Sequence, residues 1–135
     1  MHTTNYLNTF IEIAEDSPTQ AAEIPPQKGE KQTVANMQFD MIMSKPYRYT
    51  SDDVLFHVFA TKNNRTDHLE RERELFFSKG QPCFRASPLT KRYGWGLHNN
   101  EDGKIALYPA ESTEYQQFVK DDNLKKVKAM RSKRS

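Results

Sequence analysis

The stretch "FRASPLTKRYGWG", residues 84–96, sets Arg85, Lys91 and Arg92 beside the hydroxyls of Ser87, Thr90 and Tyr93 and the indole of Trp95, with His98 close behind. A guanidinium presents a fixed fork of donors that matches phosphate or carboxylate bidentately, and hydroxyls add neutral donors. The segment therefore reads as an anion-receptive surface, its ligand-binding residues being Arg85, Ser87, Lys91, Arg92, Tyr93, Trp95 and His98. The expected ligand is a small phosphate- or carboxylate-bearing molecule. An enzyme would use the same surface with Arg85 and Lys91 stabilising developing negative charge and His98 as acid or base. An exposed polar loop would have the same composition. No phosphate-loop or dinucleotide glycine pattern is present, no catalytic residue is assigned, and no cofactor is indicated.

Other reactive side chains are weaker candidates. Cys83 with His98 is a conceivable nucleophile–base pair, but the apolar "PCF" around the sulfur raises rather than lowers a thiol pKa. His2, His57, His68 and His98 show neither HxH nor HxxxH spacing, and the carboxylates Asp52, Asp53, Glu70, Glu72 and Glu74 read as solvated helix faces, so no metal site is expected. Residues 120–135 hold seven Lys or Arg against Asp121 and Asp122, a net +5; the whole chain carries +2, so the remainder carries −3. That basic tail is a secondary candidate for nucleic acid, without the interleaved aromatics of a single-strand binder.

These residues must be positioned by a chain of 135, enough for one domain. Eight Phe, six Tyr and one Trp argue for a folded core despite a hydrophobic content of only 36%. There is no apolar run of membrane-spanning length, and "MHTTNYLNTFIEIAED" lacks the basic and apolar regions of a signal peptide. A single cysteine allows no internal disulfide. A cytoplasmic protein that avoids the membrane is expected.

Residues 8–16 suit a strand with one buried face, and the Pro- and Gly-bearing 17–30 a loop. "KQTVANMQFDMIMSKPY" fits strand alternation, but the Val34, Met37 and Met41 stripe and its propensity favour a helix ending before Pro46. A second helix begins at Thr50 or Ser51 as N-cap, with Asp52 and Asp53 in its first turn. Asp67 with Glu70 has capping-box spacing for a third helix, with Gly80 as its terminator. Residues 82–100 and 104–110 read as strands joined through "NNEDG", a hairpin turn. Thr113 with Gln116 suggests another capping box, and "LKKVKAMRSKRS" a basic helical end that frays, residues 131–135 being the tail.

On the hairpin, Tyr93, Trp95 and Leu97 share one strand face, with Ile105 and Leu107 across the ladder. Gly94 and Gly96 occupy the other face, joined by Arg92 if the strand begins there. Two glycines in a strand imply a close neighbour or a bulge: a helix of the same chain, a ligand, or a kink.

In their order, "YTSDDVLF", "ERELFFSKGQPC", "SPLTKRYGWG" and "GKIALY" resemble an uncharacterised family of small bacterial proteins, a domain of unknown function. That resemblance spans nearly the whole chain and implies no activity. Pro82, Gly94, Ile105, Tyr108 and Phe118 carry a second likeness, over residues 80–119, to frataxin-like iron-chaperone and competence-regulator domains. The expected fold is α+β: one domain over residues 1–130, with an N-terminal strand and a small antiparallel sheet centred on a hairpin at about 92–109, packed by three to four helices.

Overall fold

The computed structural model describes residues 1–133, and its organising element is the first strand, β1 (Thr9–Glu12). Thr9, Phe10 and Ile11 are all essentially inaccessible, so β1 is buried on both faces rather than the one that its alternation suggests. It lies second in a four-stranded sheet ordered β3-β2-β1-β4, where β2 is Trp95–Asn99, β3 Ile105–Pro109 and β4 Lys125–Lys128. The fold is α+β, as expected.

β2 and β3 form the expected hairpin, with Leu97 opposite Leu107 and Asn99 opposite Ile105. Gly103 takes the positive φ of the turn (+78°), and Asn100 Oδ1 accepts the backbone N–H groups of Asp102 and Lys104.

The sheet is mixed, which corrects the expectation of an antiparallel one. β2 is antiparallel to β1, but β4 runs parallel to it, with Ile11 beside Val127. The "LKKVK" segment expected to be helical is this strand. Lys, Ala and Met are good helix formers, but intrinsic propensity is worth only tenths of a kcal/mol per residue and tertiary context overrides it. Ladder pairing to β1 and the burial of Leu124 and Ala129 at the strand's two ends outweigh that preference. Farther along, the N–H groups of Ser132 and Lys133 donate to Asp16 Oδ2. The remainder of the expected frayed tail, residues 134–135, lies outside the described residues.

Helices cover both faces. α1 (Val34–Ser44) is helical, as its Val34, Met37 and Met41 stripe predicts, and is closed at its start by a capping box between Thr33 and Asn36. α2 (Ser51–Lys62) has Thr50 as N-cap and Asp53 as the reciprocal partner. Asp52 accepts hydrogen bonds from Thr3 Oγ1, Thr4 N and Thr4 Oγ1, tying the N-terminal segment to α2. These two helices pack with Phe84 and Leu89 against Ile11, Leu97, Ile105 and Leu107.

Three local expectations fail. The helix α3 (Leu69–Phe76) is capped by His68 in a left-handed conformation with no side-chain cap bond, so the Asp67–Glu70 box does not form. It ends at Phe77, not at Gly80, because Phe77 drops into a small cluster with Phe56 and Ala60. Residues 84–91 are not strand: a 3-10 turn (Phe84–Ala86) leads into α4 (Pro88–Lys91), with Ser87 as N-cap and Pro88 at the first helical position. The strand therefore starts at Trp95, and Arg92 caps α4 instead of sharing a face with the glycines.

On the far face, α5 (Thr113–Lys120) crosses from the β3 edge of the sheet to the β4 edge. Its N-cap is Ser112 rather than Thr113. Tyr115 and Phe118 pack on Phe10, and the Tyr115 hydroxyl accepts the N–H of Ile13. The neighbour implied by Gly96 is this helix: a Cβ there would lie 2.5 Å from the Phe10 ring and 2.6 Å from Tyr115. Gly94 is a different case, with φ +77° and the Ala21 carbonyl oxygen 2.7 Å from where its Cβ would be. Among the described residues no helix is long and apolar enough to cross a membrane.

Gly96→Ala should lower unfolding free energy by about 1–3 kcal/mol, the usual effect of overpacking a filled core. Gly80→Ala, where a Cβ meets nothing closer than 3.9 Å, should be neutral or slightly stabilising. Urea denaturation of the two variants checks both, and equal midpoints would contradict the packing described.

Candidate ligand-binding cleft

A cleft of about 400 Å³ opens where α1 and α2 meet residues 81–88. Val34 of α1, Leu55, Val58 and Phe59 of α2, and Phe76 of α3 give it apolar walls. The i, i+3, i+4 spacing of Leu55, Val58 and Phe59 puts them on one stripe of α2. Pro82, Ala86 and Pro88 form the opposite wall, held in place by the 3-10 turn and the Ser87 cap.

The polar groups are few and specific. Gln38 lines the cleft yet is only 3% exposed. Its Oε1 accepts from Ser87 Oγ at 2.6 Å, while the same Oγ accepts the N–H of Leu89. With Oε1 engaged, the amide nitrogen of Gln38 has no hydrogen-bond partner among the described residues. That nitrogen is not sealed in the core but opens on the cleft, where an acceptor can reach it. Lys62 also lines the cleft, its ammonium donating to the Gln32 carbonyl. Cys83 contributes a free thiol 3.5 Å from the Tyr6 hydroxyl. Burial first, and then Cys83, push the Tyr6 phenol above its ordinary value.

The seven side chains read from the sequence as one surface are dispersed. Ser87 lines this cleft. Arg85 Nε donates to the Lys128 carbonyl at 2.7 Å while its own carbonyl accepts the N–H of Met130, so it fastens the end of β4. It borders a separate recess with Glu15, Lys128 and Arg131. Lys91 is half-buried and Arg92 exposed at the end of α4. Tyr93 packs on the main core, its carbonyl accepting the N–H of Glu23. Trp95 is buried, its indole N–H donating to the Glu23 carbonyl.

His98 stands across the sheet, in register with Phe10 and stacked on Phe118 of α5 at 4.3 Å. Cys83 and His98 are thus on opposite sides of the sheet, and the nucleophile–base pair does not form. His98 Nδ1 is instead hydrogen-bonded to the Tyr47 hydroxyl at 2.8 Å, which is bonded in turn to the Tyr108 hydroxyl, also at 2.8 Å. Burial lowers the His98 pKa, with Asp121 partly opposing, and burial followed by Tyr108 raises that of Tyr47. Among the described residues no three His, Cys, Asp or Glu side chains converge as a metal site would require.

Gln38 and Tyr47 are the important residues that the sequence reading passed over. An amide at a core-facing position of α1 was a visible signal; Tyr47, brought to His98 from a loop by a positive φ of +60°, had none.

An α+β domain with a small apolar cleft and one amide donor facing into it is a fold and a site without an attached activity. The chain belongs to a family of unknown function, DUF6157, whose family model matches residues 1–135. No curated protein and no solved structure matches it, so the frataxin-like resemblance supports nothing further.

In the unfolded chain the His98 imidazole should titrate near 6.5, and in the fold its pKa is depressed. Neutral His98 therefore contributes stability above 6.5 that is lost as pH falls through the lower folded value. Denaturant midpoints should drop more steeply below pH 6.5 in the parent than in His98→Gln. Parallel pH profiles for the two proteins would contradict the assignment.

Proposed function

We propose that this protein is a small-molecule-binding domain whose cleft between α1, α2 and residues 81–88 takes a compact ligand with an apolar body and a carboxylate or carbonyl end. The observation that carries this reading is the Gln38 amide, fixed through its oxygen by Ser87 and with its nitrogen free of partners among the described residues, in a largely apolar cleft. Binding sites for small molecules are usually mostly apolar concavities of about 300–1,000 Å³ with a few placed polar groups. An acceptor on the ligand meets the Gln38 donors, and a negative end is drawn toward Lys62. The expected anion-receptive segment takes part through Ser87, which orients Gln38. Arg85, Lys91 and Arg92 lie outside the cleft and take no part in it. No chemical step is assigned; the role is recognition. The free Cys83 thiol suits a reducing cytoplasm.

A thermal-shift and calorimetric panel of small aromatic and branched aliphatic acids, each with its neutral amide, tests the reading. At least one should bind the parent. Ala86→Phe, which fills the cleft from a half-buried position, should abolish that binding while barely moving Tm. Gln38→Met should weaken it about tenfold, the equivalent of one good hydrogen bond. Binding that survives Ala86→Phe, or no binding by any member, would overturn the assignment.

A further inference from the structure

The helix α2 also forms one wall of a second, larger recess, of about 780 Å³, independent of the cleft. Leu55, Val58, Phe59 and Lys62 face the cleft, whereas Asp53, His57 and Thr61 line this recess. Arg48 and Tyr49 join them from the segment before α2, and Arg65 and Arg73 from the α2–α3 side. Three guanidinium groups and one carboxylate therefore share a concave surface on a body that outside its tail is net acidic.

Two of the guanidinium groups are held in place but not used up. Arg73 Nη1 donates to Asp53 Oδ1 at 2.9 Å. Asp53 cannot swing away, because its Oδ2 accepts the N–H of Thr50 in the capping box. Burial would raise the Asp53 pKa, but the Thr50 and Arg73 donors outweigh it and keep the carboxyl below its ordinary value, so this tether stays charged. The Arg73 guanidinium also lies 5.6 Å from the Phe77 ring centroid. Arg65 spends its Nε on Glu72 at 3.2 Å, leaving both terminal nitrogens. The exposed side chain of Arg48 has no ion pair or hydrogen bond among the described residues. Carboxylates hold the forks by single bonds, so bidentate edges remain for an anion. Phe56 and Ala60 give the recess an apolar floor, and Tyr49 offers a half-buried ring.

From this arrangement we infer that the recess is a binding site for a small organic phosphate monoester. The phosphate is gripped by Arg48, Arg65 and Arg73, and the organic part rests on Tyr49 and Phe56. A dianionic group suits several separated guanidinium forks, whereas a single carboxylate would duplicate what Asp53 already provides.

Phenyl phosphate is the probe, with inorganic phosphate, sulfate and benzoate as comparisons. Titration of the full chain is followed by amide and arginine side-chain NMR shifts. Phenyl phosphate should give saturable shifts around residues 48–73 and bind more tightly than inorganic phosphate. Arg48→Gln and Arg65→Gln, both at exposed positions, should each weaken it about tenfold and reduce its salt dependence. Arg92→Gln should change nothing. Ala86→Phe should leave phenyl phosphate binding intact, so loss of the cleft reading does not touch this one. Non-saturating shifts, shifts of equal size with sulfate, or binding unaffected by Arg48→Gln would overturn the proposal.

Discussion

Everything on the far face of the sheet rests on one absence, the missing side chain at position 96. With only a hydrogen there, the Phe10 ring and the Tyr115 ring meet over the middle of the sheet, 4.9 Å apart and nearly perpendicular. That contact seats α5, and α5 is the only connection from β3 to β4. Since β3 and β4 both run parallel to β1, the chain must cross the sheet between them, and parallel strands need such a crossover. The Tyr115 hydroxyl adds a second tie by accepting the N–H of Ile13, just beyond the end of β1. Burial pushes that phenol up to about 12, so it stays protonated across the physiological range.

The near face is organised by α2. Thr50 and Asp53 close its first turn reciprocally, and both capping carboxylate oxygens are then in use, one on the cap and one on Arg73. Asp52 beside it gathers Thr3 and Thr4. A short stretch of four residues therefore fixes the helix, the arginine wall on one side and the N-terminal segment. The capping chemistry that starts the helix is also what aims side chains into the recess. Site and scaffold share their hydrogen bonds here, so a change at Asp53 acts on both.

Much of the architecture was legible because local chemistry and tertiary packing agreed. "NNEDG" needs a turn, Thr50 and Asp53 form a cap, and the Val34–Met41 stripe needs a helix. The failures fall where they disagreed. "SPLTK" carries Ser-Pro, a helix-start signal, but the aromatic strand that follows it masks so short a helix. "KKVK" shows one apolar residue and no convincing alternation, because β4 is an edge strand whose burial lies at its ends. The candidate site was less legible than the fold. Cations adjacent in sequence point to different neighbours once α4 turns the chain, so proximity along "FRASPLTKRY" did not become proximity in space. Gln38, Lys62 and Ser87 meet only through long-range packing.

The parallel pairing of β1 with β4 joins residues 116 positions apart, Thr9 with Lys125. During synthesis, Phe10 and Ile11 are made long before the strand that covers their second edge. A nascent chain holding β1, β2 and β3 can already zip its antiparallel ladder, but it keeps an open, largely apolar strand edge until Lys125–Lys128 has emerged. Non-local closure of this kind is slow and leaves an interval in which edges can pair with other chains. The lysines of β4 then end that vulnerability twice: they cover β1, and they leave as the new boundary of the sheet a charged edge that discourages a further strand from adding to it.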